Sequence, residues 1–75
     1  MIYIDKYGHM VADTFGELHK FALTKVGIRR HFYQGVHKGH PHYDLTTEAK
    51  YNKAIENGAK LVGIRTIAKL SRRMT

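Results

Sequence analysis

The sequence has no cysteine and no tryptophan, a single proline, and only six acidic residues against thirteen Lys and Arg. Without cysteine there is neither a disulfide nor a thiolate metal ligand to staple so short a chain. The longest uninterrupted apolar runs are a few residues, far below the roughly 20 that a bilayer requires, so no membrane span is expected. A membrane-surface role for the C-terminal segment is disfavoured because that segment lacks Trp and Phe. With 75 residues there is no room for a full-sized enzyme fold, and one domain over residues 1–75 is expected. The familiar signatures of catalysis and nucleotide binding are missing as well: no Walker loop, no Gly-x-Gly-x-x-Gly, no nucleophile elbow, no His-Glu-x-x-His. The chain enters a strand-like run at Met1–Asp5 rather than a signal segment, which makes the cytoplasm the expected location.

What is present suffices for a folded domain: 43% hydrophobic residues and eight aromatics, five Tyr and three Phe. A chain of this length buries only about 60% of its unfolded surface, which makes a homodimer an expectation too. The net charge of +7 is unevenly spread. Residues 1–45 hold six basic and four acidic side chains, and residues 46–75 hold seven and two. Arg65, Lys69, Arg72 and Arg73 fall at i, i+4, i+7 and i+8, one stripe if the segment is helical. Such a stripe suits phosphate contacts and equally suits a solvated helix face near the negative end of the macrodipole.

Local patterns divide the chain. Ile2-Tyr3-Ile4 reads as a buried strand broken by Asp5-Lys6-Tyr7-Gly8. Thr14 and Glu17 form a capping box for a helix with Phe15, Leu18, Ala22 and Val26 inward and Gly27 as its stop. Ile28 to Tyr33 alternates as a second strand does. Residues 34–42 contain two glycines and the proline and read as a long loop. His42-Tyr43-Asp44-Leu45 suits a short strand or a turn. Thr46 or Thr47 then caps a helix with Tyr51, Ala54 and Ile55 inward, ending at Asn57-Gly58. Ala59–Gly63 reads as a third strand and Ile64–Arg73 as a last helix, with Ile64, Ile67, Ala68 and Ser71 opposite the cations and Met74-Thr75 frayed. The expectation is an α/β fold: a small, mainly parallel three-stranded sheet with flanking helices, the first strand central.

In such sheets ligands bind beyond the carboxyl ends of the strands. Two segments qualify, residues 5–14 with Asp5, His9, Asp13 and Thr14, and residues 34–45 with Gln34, His37, His40, His42 and Asp44. All six histidines lie between residues 9 and 42. His42 or His9 paired with Asp44 or Asp13 suits general acid and base work. Asp5, Thr14, His19, Arg29, Arg30, Gln34 and Tyr43 complete the expected site as ligand-binding groups. Structural roles compete for several of these: His19 also fits a core boundary, and Asp13 and Asp44 also fit helix N-caps. No metal or cofactor is expected, since the tract His37, His40 and His42 lacks cysteine and widely spaced ligand pairs.

Several blocks together carry a resemblance: Tyr3-Ile4-Asp5, His9-Met10-Val11-Ala12-Asp13-Thr14, Glu17-Leu18-His19-Lys20-Phe21-Ala22, Gly27-Ile28-Arg29-Arg30, Phe32-Tyr33-Gln34-Gly35, His42-Tyr43-Asp44-Leu45 and Gly58-Ala59. Over residues 3 to about 59 the chain resembles a small family of bacterial and phage proteins known only as a domain of unknown function. The resemblance implies that Asp5, His9, Asp13, Thr14, Glu17, His19, Arg30, Gln34, His42, Tyr43 and Asp44 match the family's polar positions. Members usually carry Trp where this chain has Tyr7 and Phe32 nearby, and the last helix lies outside the matched part. Its occurrence in phages implies a role in the contest with the host, including capture of a nucleotide signal. Three functions follow as expectations: binding of a phosphorylated ligand, either a nucleotide or a nucleic-acid backbone; a small hydrolase or nuclease; or a protein adaptor.

Overall fold

Asp5 and Gly8 turn the chain back on itself. The Asp5 carbonyl accepts from the Gly8 amide at 3.1 Å, the Asp5 amide donates to His9 O at 3.2 Å, and Gly8 takes the left-handed backbone, φ +88°. This is a tight hairpin with a glycine at its left-handed position. It joins β1 (Ile2–Ile4) to an antiparallel β2 (His9–Ala12). In the computed structural model, which describes residues 1–30, 33–34 and 41–75 with the Gln34 side chain excepted, these strands are followed by α1 (Phe15–Phe21) and a π-helical turn (Ala22–Val26). Then come β3 (Tyr33–Gln34), β4 (His42–Asp44), α2 (Glu48–Glu56), β5 (Lys60–Leu61) and α3 (Ile64–Arg73).

Among the described residues the sheet has five strands in the order β3-β4-β2-β1-β5, and only the β1–β5 pair is parallel. The expected three-stranded, mainly parallel sheet is thereby corrected to a mostly antiparallel mixed one, still of the α/β class. The central strand is β2, not the first strand. Met10, Val11 and Ala12 are wholly buried, whereas Tyr3 in β1 is half-buried and sends its hydroxyl to Asp13 Oδ1 at 3.0 Å. Residues 5–14 are therefore not one loop. Of the expected strand over residues 28–33, residues 28–30 are not in a strand, and Tyr33 is, together with Gln34. Ile28 serves the preceding helix instead: Gly27 is left-handed at φ +78°, and the Ile28 amide closes back on Ala22 O at 2.9 Å. His31, Phe32 and residues 35–40, including His37 and His40, lie outside the described residues.

The starts of α1 and α2 obey the side-chain capping rule. Thr14 Oγ1 accepts from the Glu17 amide at 3.1 Å and Thr47 Oγ1 from the Lys50 amide at 3.2 Å, so Thr47 and not Thr46 caps α2. The Glu17 carboxylate turns to the amino terminus of Met1 rather than closing the capping box. In α2, Ala54 is buried and Ile55 is exposed, against the expected inward pair. The C-terminal residues do not fray: Met74 is buried, and the Phe15 amide donates to Thr75 O at 2.9 Å.

Side chains alternate across a strand, so the register assigns faces. Ile2, Ile4, Met10, Ala12 and Tyr43 share one face. The contact from His19 to Tyr43 puts α1 on that face. His9, Val11, His42 and Asp44 share the other, where α3 packs across β2. The sheet is thus sandwiched between α1 and α3, with Ile4, Met10, Val11, Leu18, Ala22 and Tyr43 at the centre of the core.

Candidate functional site

β1, β4 and β5 run in one direction and end together, and β2 begins beside them, because His9 lies opposite Asp44 and Met10 opposite Ile4. The carboxyl ends of three strands therefore gather at one end despite the antiparallel topology. Four of the sequence-predicted site residues meet there. Asp5, only 1% exposed, accepts the amides of Tyr7 and His9 on Oδ1, at 2.9 and 3.0 Å, and holds His9 Nδ1 at 2.7 Å from Oδ2. That contact fixes the ring so that Nε2 points away from Asp5. His42 Nε2 lies 3.1 Å and His9 Nε2 3.7 Å from the same oxygen, Asp44 Oδ1. The two imidazoles stand edge to face, 5.2 Å between centroids.

A cleft of about 180 Å³ opens beside the imidazoles, lined by His9 and His42 on the sheet side and by Ile64, Ile67, Ala68 and Ser71 on α3. Ser71 also pins the helix to the start of β4, its hydroxyl donating to Pro41 O at 2.8 Å. A second, wider hollow of about 490 Å³, lined by Lys6, Tyr7, Leu61, Val62, Gly63 and Ile64, shares Ile64 with the first. Arg65, Lys69, Arg72 and Arg73 are all exposed on α3. At 100° per residue Arg65 and Arg72 flank the cleft side of the helix, next to Ala68.

The other expected residues lie elsewhere. Asp13 sits past the far end of β2, exposed, with its carboxylate on the Met1 amino group at 3.2 Å and on the Tyr3 hydroxyl. The Thr14 hydroxyl is engaged as a helix cap. Arg29 and Arg30 are exposed. Gln34 pairs through its backbone with His42. His19 and Tyr43 belong to the opposite face, joined at 2.7 Å between Nδ1 and the hydroxyl, with the His19 ring edgewise to both Tyr43 and Tyr33. The α3 wall escaped prediction as a site, although its i, i+3, i+4, i+7 spacing was legible; Lys6 and Tyr7 carried no signal beyond the turn that holds them.

The His19 pair makes one pH-dependent element. Burial first, and the nearby Arg30 charge second, hold the imidazole below its ordinary value of 6.5. Burial also raises the Tyr43 pKa, so the neutral imidazole faces a protonated hydroxyl across their 2.7 Å hydrogen bond. Since the folded value lies under the unfolded one, protons favour the unfolded chain. This contribution is intact above pH ~6.5 and is lost as pH falls toward the folded value. The melting temperature should therefore drop on acidification from roughly pH 7.5 to 5.5, and His19→Gln should flatten part of that drop. An unchanged slope in the variant would refute the assignment.

A family model described as "Protein of unknown function (DUF4031)" matches residues 3–74. The chain belongs to the DUF4031 family. The DUF4031 match runs through α3, so the helix that walls the cleft is part of the family unit, correcting the narrower span of residues 3 to about 59. No match was found among curated proteins or among solved structures. Among the described residues no helix is long and apolar enough to cross a membrane.

Proposed function

We propose that this DUF4031 chain binds a phosphorylated, nucleotide-sized ligand across the two neighbouring hollows, which share Ile64. The observation that carries the reading is that His9 and His42, with Asp44 between them, face a cleft whose opposite wall is a helix that carries Arg65 and Arg72 beside its lining residues. That helix begins at Gly63, which has no side chain to cap it, so the first-turn amides of α3 are available to an anion next to Lys6. Ile64, Ile67 and Ala68 offer apolar surface to a base or sugar, and Asp44, 40% exposed, can accept from ligand hydroxyls.

A thermal-shift panel of nucleotides, the matching nucleosides and inorganic phosphate tests this. The melting temperature should rise by roughly 10–20 °C with a recognised nucleotide at 100 times its Kd. The nucleoside should give little, and added salt should weaken the effect. Lys6→Ala combined with Arg65→Ala should abolish the shift. No shift across the panel would remove the reading.

The Asp5–His9 pair favours a second reading, hydrolysis of a phosphoester with His9 Nε2 as general base and Asp5 as the group that orients it. Release of product from the recognised nucleotide, lost in His9→Ala with the thermal shift retained, would separate turnover from binding.

A further inference from the structure

His42 Nε2 is within hydrogen-bond distance of Asp44 Oδ1, but His9 Nε2, at 3.7 Å, is beyond it. Strand register sets His9 opposite Asp44, and at 3.7 Å the two groups are spaced for a shared metal rather than for a direct hydrogen bond. Three ligand atoms, one each from His9, His42 and Asp44, lie within 4.8 Å of one another. Bonds of about 2.0–2.1 Å at tetrahedral angles place ligand atoms roughly 3.3 Å apart; the two His–Asp44 separations, 3.1 and 3.7 Å, bracket that value, and the two imidazoles need only draw together within their 4.8 Å limit to complete the set. Asp5 adds what such a site needs behind it. A buried carboxyl group on His9 Nδ1 at 2.7 Å fixes the ring so that Nε2 presents its lone pair, as the outer partner of a metal-bound histidine does.

We infer that His9 Nε2, His42 and the Asp44 carboxylate bind one divalent first-row transition ion of the zinc class. Two imidazoles and a carboxylate suit that class and not magnesium or calcium, which select all-oxygen sites. Three protein ligands leave a fourth position, and the cleft against α3 is the space beside the site for a water or a ligand oxygen. The inference goes beyond the phosphorylated-ligand reading and stands on ligand geometry alone. Among the described residues the site joins His42, at the end of the histidine tract, to His9, which comes from the far side of the hairpin turn and reaches Asp44 only through strand pairing.

The test is titration of the chelator-treated protein with Zn2+ by calorimetry and with Co2+ by visible absorption, in buffer free of phosphate. One equivalent should bind, with the intense visible bands of four- or five-coordinate cobalt. His9→Ala or Asp44→Asn should weaken binding by more than about 100-fold, and Asp5→Asn, a positioning change, by about 10–100-fold with the stoichiometry kept. Asp44 is partly exposed at a strand end, so Asp44→Asn keeps the test valid if His9→Ala fails to fold; circular dichroism in chelator checks both. Absence of the cobalt bands overturns the inference. So does binding that survives Asp44→Asn, or that is lost instead on joint replacement of His37 and His40. The two readings fail separately: stoichiometric zinc binding without any nucleotide shift supports the metal and removes the ligand, and a nucleotide shift without zinc binding does the reverse.

Discussion

Asp5→Ala is expected to destabilise the fold by about 3 kcal/mol, because it leaves two part-buried backbone amides and one imidazole nitrogen without their acceptor, each worth about 1–3 kcal/mol when unsatisfied. For a chain of this size that is a large share of a total of about 4–11 kcal/mol. Asp5→Asn should lose much less, since its Oδ1 can still accept the Tyr7 and His9 amides, while its amide group now faces His9 Nδ1. Urea unfolding of the two variants checks both statements. Equal losses would mean that the Oδ1 bonds contribute little and that the interaction with His9 dominates.

Gly8→Ala is expected to cost about as much, roughly 3 kcal/mol, from two separate sources. The left-handed backbone strains any residue with a Cβ, and overpacking strains the neighbours. An added Cβ would lie 2.6 Å from Leu45 O, a backbone atom that cannot rotate away. Leu45 O is held in place because the Leu45 amide donates to Gly8 O at 2.9 Å, stitching the turn to the end of β4. The melting temperature should fall by roughly 12–24 °C. By contrast Gly58→Ala, also left-handed at φ +100° but with open space around it, should cost only the backbone strain. If the two alanine variants melt together, the close approach to Leu45 is not a determinant of stability.

The helices were legible because capping and periodicity are local. Thr14 with Glu17, Gly27, Asn57-Gly58 and the spacing of Ile64 to Arg73 all act within a few residues, and each marks an observed boundary. The sheet was not, for one identifiable reason. Asp5 and Gly8 were read as the end of a strand, although Asp followed three residues later by Gly is also the chemistry of a tight hairpin. Reading the hairpin would have turned Met10-Val11-Ala12 into the central strand and the parallel sheet into a mixed one. The site fared differently. Asp5, His9, His42 and Asp44 could be named from residue type and clustering, but Asp13 could not be separated from them, because strand length carries it to the opposite end of the sheet. Likewise His19 and Tyr43 share the histidine-rich region in sequence, and side-chain alternation along β4 sends Tyr43 through the sheet to the other side.

The parallel pairing of β5 with β1 joins segments near opposite ends of the chain. Closing so long a loop is entropically the dearest step in forming this topology, whereas the hairpin of β1 and β2 closes over four residues. The order of assembly follows: His9 is set early by a local turn, His42 joins it when β4 pairs with β2, and α3, which comes after β5, docks late. Amide exchange through partial opening should then be fastest at the helix and slowest at the hairpin, so that one wall of the cleft can lift while the imidazoles stay in register.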